Sequence, residues 1–129
     1  MRPTIRLEGL TLAVANVKRS LAYYQTLGFK CTVNAAPNFA MLKLGEGSIG
    51  LLSQTQARKS GAIKATARQK RNIHVEISTD DLDRLYERLV AKGVKFHEPP
   101  HDEPWERSAC AFDPDGYTVE FAQAPLGRK

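Results

Sequence analysis

Two stretches of this chain carry the same punctuation, and that repeat limits the folds open to it. Asn16 and Asp81 are both helix N-cap residue types, and each stands just before an apolar-periodic run. Gly28 and Gly93 follow them, twelve residues later in both cases, as helix-ending glycines. Val17, Leu21 and Tyr24 recur at helical spacing in the first run. Leu82, Leu85, Tyr86, Leu89 and Val90 do so in the second. Helices are expected over about 17–27 and 81–92.

Strand patterns flank both helices in the same order. Leu10, Leu12 and Val14 alternate with Gly9, Thr11 and Ala13, which predicts a strand with one buried face and one face of small residues. Strands are expected at 29–33, 39–44 and 48–53, with the hairpin turn Gly45-Glu46-Gly47 between the last two. The pattern restarts with Ile73, Val75 and Ile77 facing the core and Asn72, His74 and Glu76 opposite. Strands follow at 94–97, 107–112 and 117–121, with 98–104 read as a proline-stiffened loop.

The chain therefore reads as α+β, two β-α-β-β-β modules within one domain of 129 residues. Module one runs 5–53, a basic linker 54–71, module two 72–123 and a tail 124–129. A module with one helix covers only one face of its sheet. Packing two bare faces in a pseudo-twofold arrangement around a shared cleft solves that burial problem. Thr11, Asn72, His74, Glu76 and Glu120 would then line the cleft.

The linker is basic, with Arg58, Lys59, Lys64, Arg68, Lys70 and Arg71 and no acidic residue. Two readings stand: a solvated loop, or a flap over a site for an anion. No aromatics interleave with these charges to stack on bases, so nucleic acid is not an expected partner. The net charge of +5 favours anionic ligands in general. No apolar run has the length of a membrane span, so no membrane partner is expected. Cys31 and Cys110 lack metal-type spacing and read as reduced, buried thiols of a cytoplasmic protein.

Near the end, Asp113-Pro114-Asp115-Gly116 is a tight-turn sequence leading into a strand of β-formers. Glu120 falls on the face opposite Val119 and Phe121. It points either to solvent or into a cleft.

These segments resemble the vicinal oxygen chelate superfamily, which includes glyoxalase I, extradiol dioxygenases, fosfomycin-resistance enzymes and bleomycin-resistance proteins. The resemblance rests on three motifs. The first is Val14-x-Asn16-Val17-x-x-Ser20-Leu21-x-Tyr23-Tyr24-x-x-Leu27-Gly28-Phe29, where the family usually has Asp at the position of Asn16. The second runs from Asp81-Leu82 to Lys92-Gly93-Val94. The third runs from Trp105-Glu106-Arg107 through the Asp113 turn to Glu120. The resemblance implies the paired-module fold and a homodimer.

The family's metal enzymes use four ligand positions, which the resemblance maps to Gly9, Gly50, Asn72 and Glu120. Glycine offers no ligating side chain and Asn is a poor ligand for zinc or iron, so no metal and no cofactor are expected. The leading expectation is a metal-free protein binding a small organic ligand, anionic or aromatic, through Thr11, Asn72, Trp105 and Glu120. The charge of +5 speaks against cationic bleomycin. The alternative is a lyase or isomerase with Glu120 and His74 or Glu76 as acid and base, or one with an atypical divalent metal.

Overall fold

The computed structural model describes residues 2–124, so the expected tail lies, apart from Ala124, outside the described residues. The chain forms two compact units, one up to Lys64 and one from Ala65.

The first unit contains β1 (Gly9–Val14), α1 (Val17–Leu27), β2 (Lys30–Ala35), β3 (Phe39–Leu44), β4 (Gly47–Ser53) and α2 (Gln54–Lys59). Its sheet has the order β1-β4-β3-β2, with β1 parallel to β4 and the other pairs antiparallel. The second unit contains α3 (Ala67–Lys70), β5 (His74–Ser78), α4 (Leu82–Ala91), β6 (Phe96–Asp102), β7 (Arg107–Phe112) and β8 (Thr118–Gln123). Its order is β5-β8-β7-β6, again with the outer first strand parallel to the last. The fold is α+β, and the βαβββ module occurs twice.

The helix ends explain why the repeat is visible in the sequence. The Asn16 side chain accepts the Arg19 backbone N–H at 3.0 Å, and Asp81 accepts that of Arg84 at 3.1 Å. At the other ends, the Phe29 N–H donates back to the Tyr24 carbonyl and the Val94 N–H to that of Leu89, at 3.1 and 3.0 Å. Such a bond needs a left-handed residue before it, and Gly28 and Gly93 have φ of 115° and 92°. The first helix buries Val17, Leu21, Tyr24 and Leu27. Tyr24 meets Phe29 edge to face, with ring centroids 5.4 Å apart. On the second sheet, Phe96 touches both Tyr86 of α4 and Phe121 of β8, which marks the helix-covered side.

Three expectations change. The stretch 54–71 is not a bare loop, because it carries α2 and α3. Ser53 caps the first and Thr66 the second, the latter with a reciprocal Thr66–Gln69 box. Its Lys70 is buried, with Nζ 3.6 Å from Asp115 Oδ1. Next, β6 extends through Pro99 and Pro100 to Asp102, where a loop was expected. That is possible because β6 is an edge strand and its pairing with β7 shifts register twice. Finally, Leu10 is exposed although Leu12 and Val14 are buried, so only the inner half of β1 has a covered face.

Among the described residues no helix is long and apolar enough to cross a membrane.

Candidate functional site

The Asp113 turn sets the site's register. Asp113 Oδ1 accepts the backbone N–H groups of Asp115 and Tyr117 at 2.9 and 3.0 Å. Gly116, at φ 98°, packs so closely on Ala67 that a Cβ there would lie 3.1 Å from its carbonyl oxygen. The turn joins β7 to β8 so that Phe112 pairs with Thr118 and Cys110 with Glu120. Parallel pairing with β5 sets His74 beside Thr118 and Glu76 beside Glu120. On the far side, Glu98 pairs with Cys110. Register partners share a face. One row of side chains therefore crosses all four strands: Glu76, Glu120, Cys110, Glu98.

This row lies on the face opposite α4. Glu76 and His74 are exposed, Glu120 is half-buried and Cys110 is buried. The Glu120 carboxyl is held above its ordinary range. Burial is the largest cause, followed by its hydrogen bond with Glu76 and the negative charges of Glu106 and Glu76, while His74 opposes the shift. Burial and the neighbouring charges of Glu120 and Glu98 push the Cys110 thiol up to about 12. Cys110 Sγ and Glu120 Oε2 are 3.9 Å apart. Although the chain as a whole is cationic, this face is acidic.

His74, Glu76 and Glu120, predicted from the sequence, come together here. Trp105, 58% exposed, sits in the β6–β7 connection of the same unit. Asn72 does not lie on a strand. It occupies the turn between α3 and β5, where its N–H donates to the Gln69 carbonyl at 3.1 Å. The strand begins two residues later because Arg71 belongs to that turn and its carbonyl accepts the Thr118 hydroxyl at 2.7 Å. Thr11 belongs to the first unit, exposed on β1 opposite Gly50.

The metal positions implied by the resemblance are closed in the first unit. A Cβ on Gly9 would run into the Ser48 carbonyl, and one on Gly50 would lie 2.8 Å from Thr11 Oγ1. Backbone and Thr11 fill the space a ligating side chain would need, and Asn72 has left its strand. The residues present do not fit the family's metal.

Cys110, Glu98, His97 and Phe112 were not foreseen as site residues. The turn alone could have given Cys110, by counting back from Glu120 across the hairpin. The other two acidic and basic neighbours depend on the irregular pairing of β6, which no local pattern announces. The His97 ring stacks on that of Phe112, with centroids 3.9 Å apart and planes 5° from parallel. Arg71 lies over the same Phe112 ring at 4.7 Å.

The sequence profile of the glyoxalase/bleomycin resistance protein/dioxygenase superfamily matches residues 6–121. The chain belongs to that superfamily. A structure described as a glyoxalase/bleomycin resistance protein/dioxygenase from Nocardioides superposes with a TM-score of 0.80 at 28% identity, covering 100% of this chain and 88% of that one. A lactoylglutathione lyase from Agrobacterium tumefaciens, at 17% identity and a TM-score of 0.75, covers 95% of this chain and 96% of its own and shares the fold. By sequence, the uncharacterized protein YraH of Bacillus subtilis is 29% identical over 124 residues, spanning 91% of this chain and 97% of that protein.

Proposed function

We propose that this is a small-molecule-binding member of the superfamily that works without a metal at the family's ligand positions. The observation that carries this reading is the Glu76–Glu120 pair on the face opposite α4, beside His74. A half-buried carboxyl with a raised proton affinity is suited to exchanging hydrogen bonds with a bound polar group. Its acidic neighbours disfavour an anionic ligand, whatever the net charge of the chain. The ligand class that fits is a neutral or cationic organic molecule with N–H or O–H donors. Exposed Trp105 provides aromatic surface for an unsaturated ring. A cytoplasmic homodimer is the form this reading implies.

The test uses Trp105 fluorescence across a library of small amines, amides, phenols and acids. Donor-bearing compounds should bind, and Glu120→Gln should weaken them by about 1–3 kcal/mol. Acids binding best, or hits indifferent to Glu120→Gln and His74→Ala, would reject this site.

The same pair supports a second reading, a lyase or isomerase. Two adjacent carboxyl groups, of which Glu120 holds its proton more tightly than usual, can serve as acid and base in one step. Exchange of a substrate's carbon-bound hydrogen with deuterated solvent, lost in both Glu76→Gln and Glu120→Gln, would establish it.

A further inference from the structure

On the β6–β7 side of the same face, three different metal-binding groups converge. The donor atoms of His97, Glu98 and Cys110 all lie within 4.8 Å of one another. His97 Nε2 is 3.7 Å from Glu98 Oε1. Neighbours on a regular strand point to opposite faces, so an adjacent His–Glu pair would ordinarily be split. Here the pairing of β6 with β7 shifts between Phe96 and Glu98, and a bulge at that place brings both side chains to the Cys110 side. Stacking on Phe112, beneath the Arg71 guanidinium, fixes the plane of the imidazole. Glu120 stands 3.9 Å from the sulfur on the other side and offers a fourth ligand atom, a second oxygen.

We propose that His97, Glu98 and Cys110 form a binding site for a borderline-soft divalent cation, zinc above all, with Glu120 or water completing a tetrahedron. Tetrahedral ligands on zinc stand roughly 3.5 Å apart, so the trio needs to contract by about 1 Å. One nitrogen, one sulfur and carboxylate oxygen suit zinc or cobalt and exclude magnesium or calcium as the preferred ion. The surplus of carboxylates on this face attracts a cation. On binding, the sulfur gives its proton to solvent and its lone pair to the metal, with no change of oxidation state. His97, Glu98 and Cys110 come from β6 and β7, and of the positions implied by the resemblance, Gly9, Gly50, Asn72 and Glu120, the site can share only Glu120. The site does not depend on the small-molecule reading.

The experiment titrates the full chain with Co²⁺ and then displaces it with Zn²⁺. One equivalent should bind and give the near-ultraviolet charge-transfer absorption of a cobalt–thiolate bond. Cys110→Ser should abolish that absorption. His97→Gln and Glu98→Gln should each weaken Zn²⁺ by more than the roughly 10- to 100-fold that loss of an outer-shell partner costs. Cys31→Ser and His101→Ala should leave binding unchanged. X-ray absorption on the wild-type zinc form should show one sulfur at about 2.3 Å, which keeps the test decisive if Cys110→Ser does not fold. Binding without a thiolate signal, binding unaffected in His97→Gln and Cys110→Ser, or no stoichiometric binding would each overturn the site.

Discussion

Lys70 and Asp115 form a buried ion pair, Nζ to Oδ1 at 3.6 Å, with side chains only 8% and 2% exposed. It joins α3 to the turn that fixes the register of β8, so it acts on the site through the backbone. Lys70 also lies over the Tyr117 ring, 5.4 Å from its centroid.

Lys70→Met should therefore destabilise the protein by roughly 3 kcal/mol, the cost of removing one partner of a buried ion pair. Exposed Arg68→Ala should stay within about 0.5 kcal/mol. Urea unfolding of the three proteins checks this. Equal midpoints would mean that the pair does not hold the turn.

Glu120 makes stability depend on pH in a defined direction. Its proton is held more tightly in the folded protein than in the unfolded chain. The folded state is then favoured at low pH, and this contribution falls as pH rises from the ordinary value of 4.5 through the raised one. Glu120→Gln removes the titration. Across that window the variant should gain stability relative to wild type as pH rises. Unfolding curves at a series of pH values should diverge accordingly, and parallel profiles would contradict the raised proton affinity.

The two thiols should differ in reactivity. Cys110, pushed up to about 12, has on the order of one thiolate in ten thousand molecules at pH 8. Cys31 is only partly covered, and its thiol donates to the Val33 carbonyl at 3.3 Å. Iodoacetamide followed by peptide mass spectrometry should find Cys31 modified first. Equal labelling of both would show that the face opens in solution.

We further propose a homodimer, since each four-stranded sheet has two edge strands and Ile5, Leu7 and Leu10 are exposed. Light scattering should report about twice the chain mass of 14.3 kDa. A mass of one chain at high concentration would reject it.

The parts of this molecule that were legible in the sequence are those fixed by local chemistry. Asn16, Gly28, Asp81 and Gly93 state where helices begin and end, because capping depends on neighbours three to five residues away. His74, Glu76 and Glu120 could be placed on one face because a regular strand alternates. Asn72 was misplaced by the same rule, since the strand starts only after the turn that Arg71 and Thr118 hold. Lys70 looked like one charge among many in a basic stretch, and its burial depends on Asp115, forty-five residues away. His97 and Glu98 escaped notice because alternation fails where β6 shifts its pairing.

The prolines of β6 have one more consequence. Pro99 and Pro100 carry no N–H, so the outer rim of the second sheet lacks the unbroken row of donors that another strand would need. A passing chain pairs less well along it, which guards this border against runaway stacking of sheets. It also favours self-association elsewhere: two copies that join strand to strand find a fuller row of donors along β1, β2 or β5.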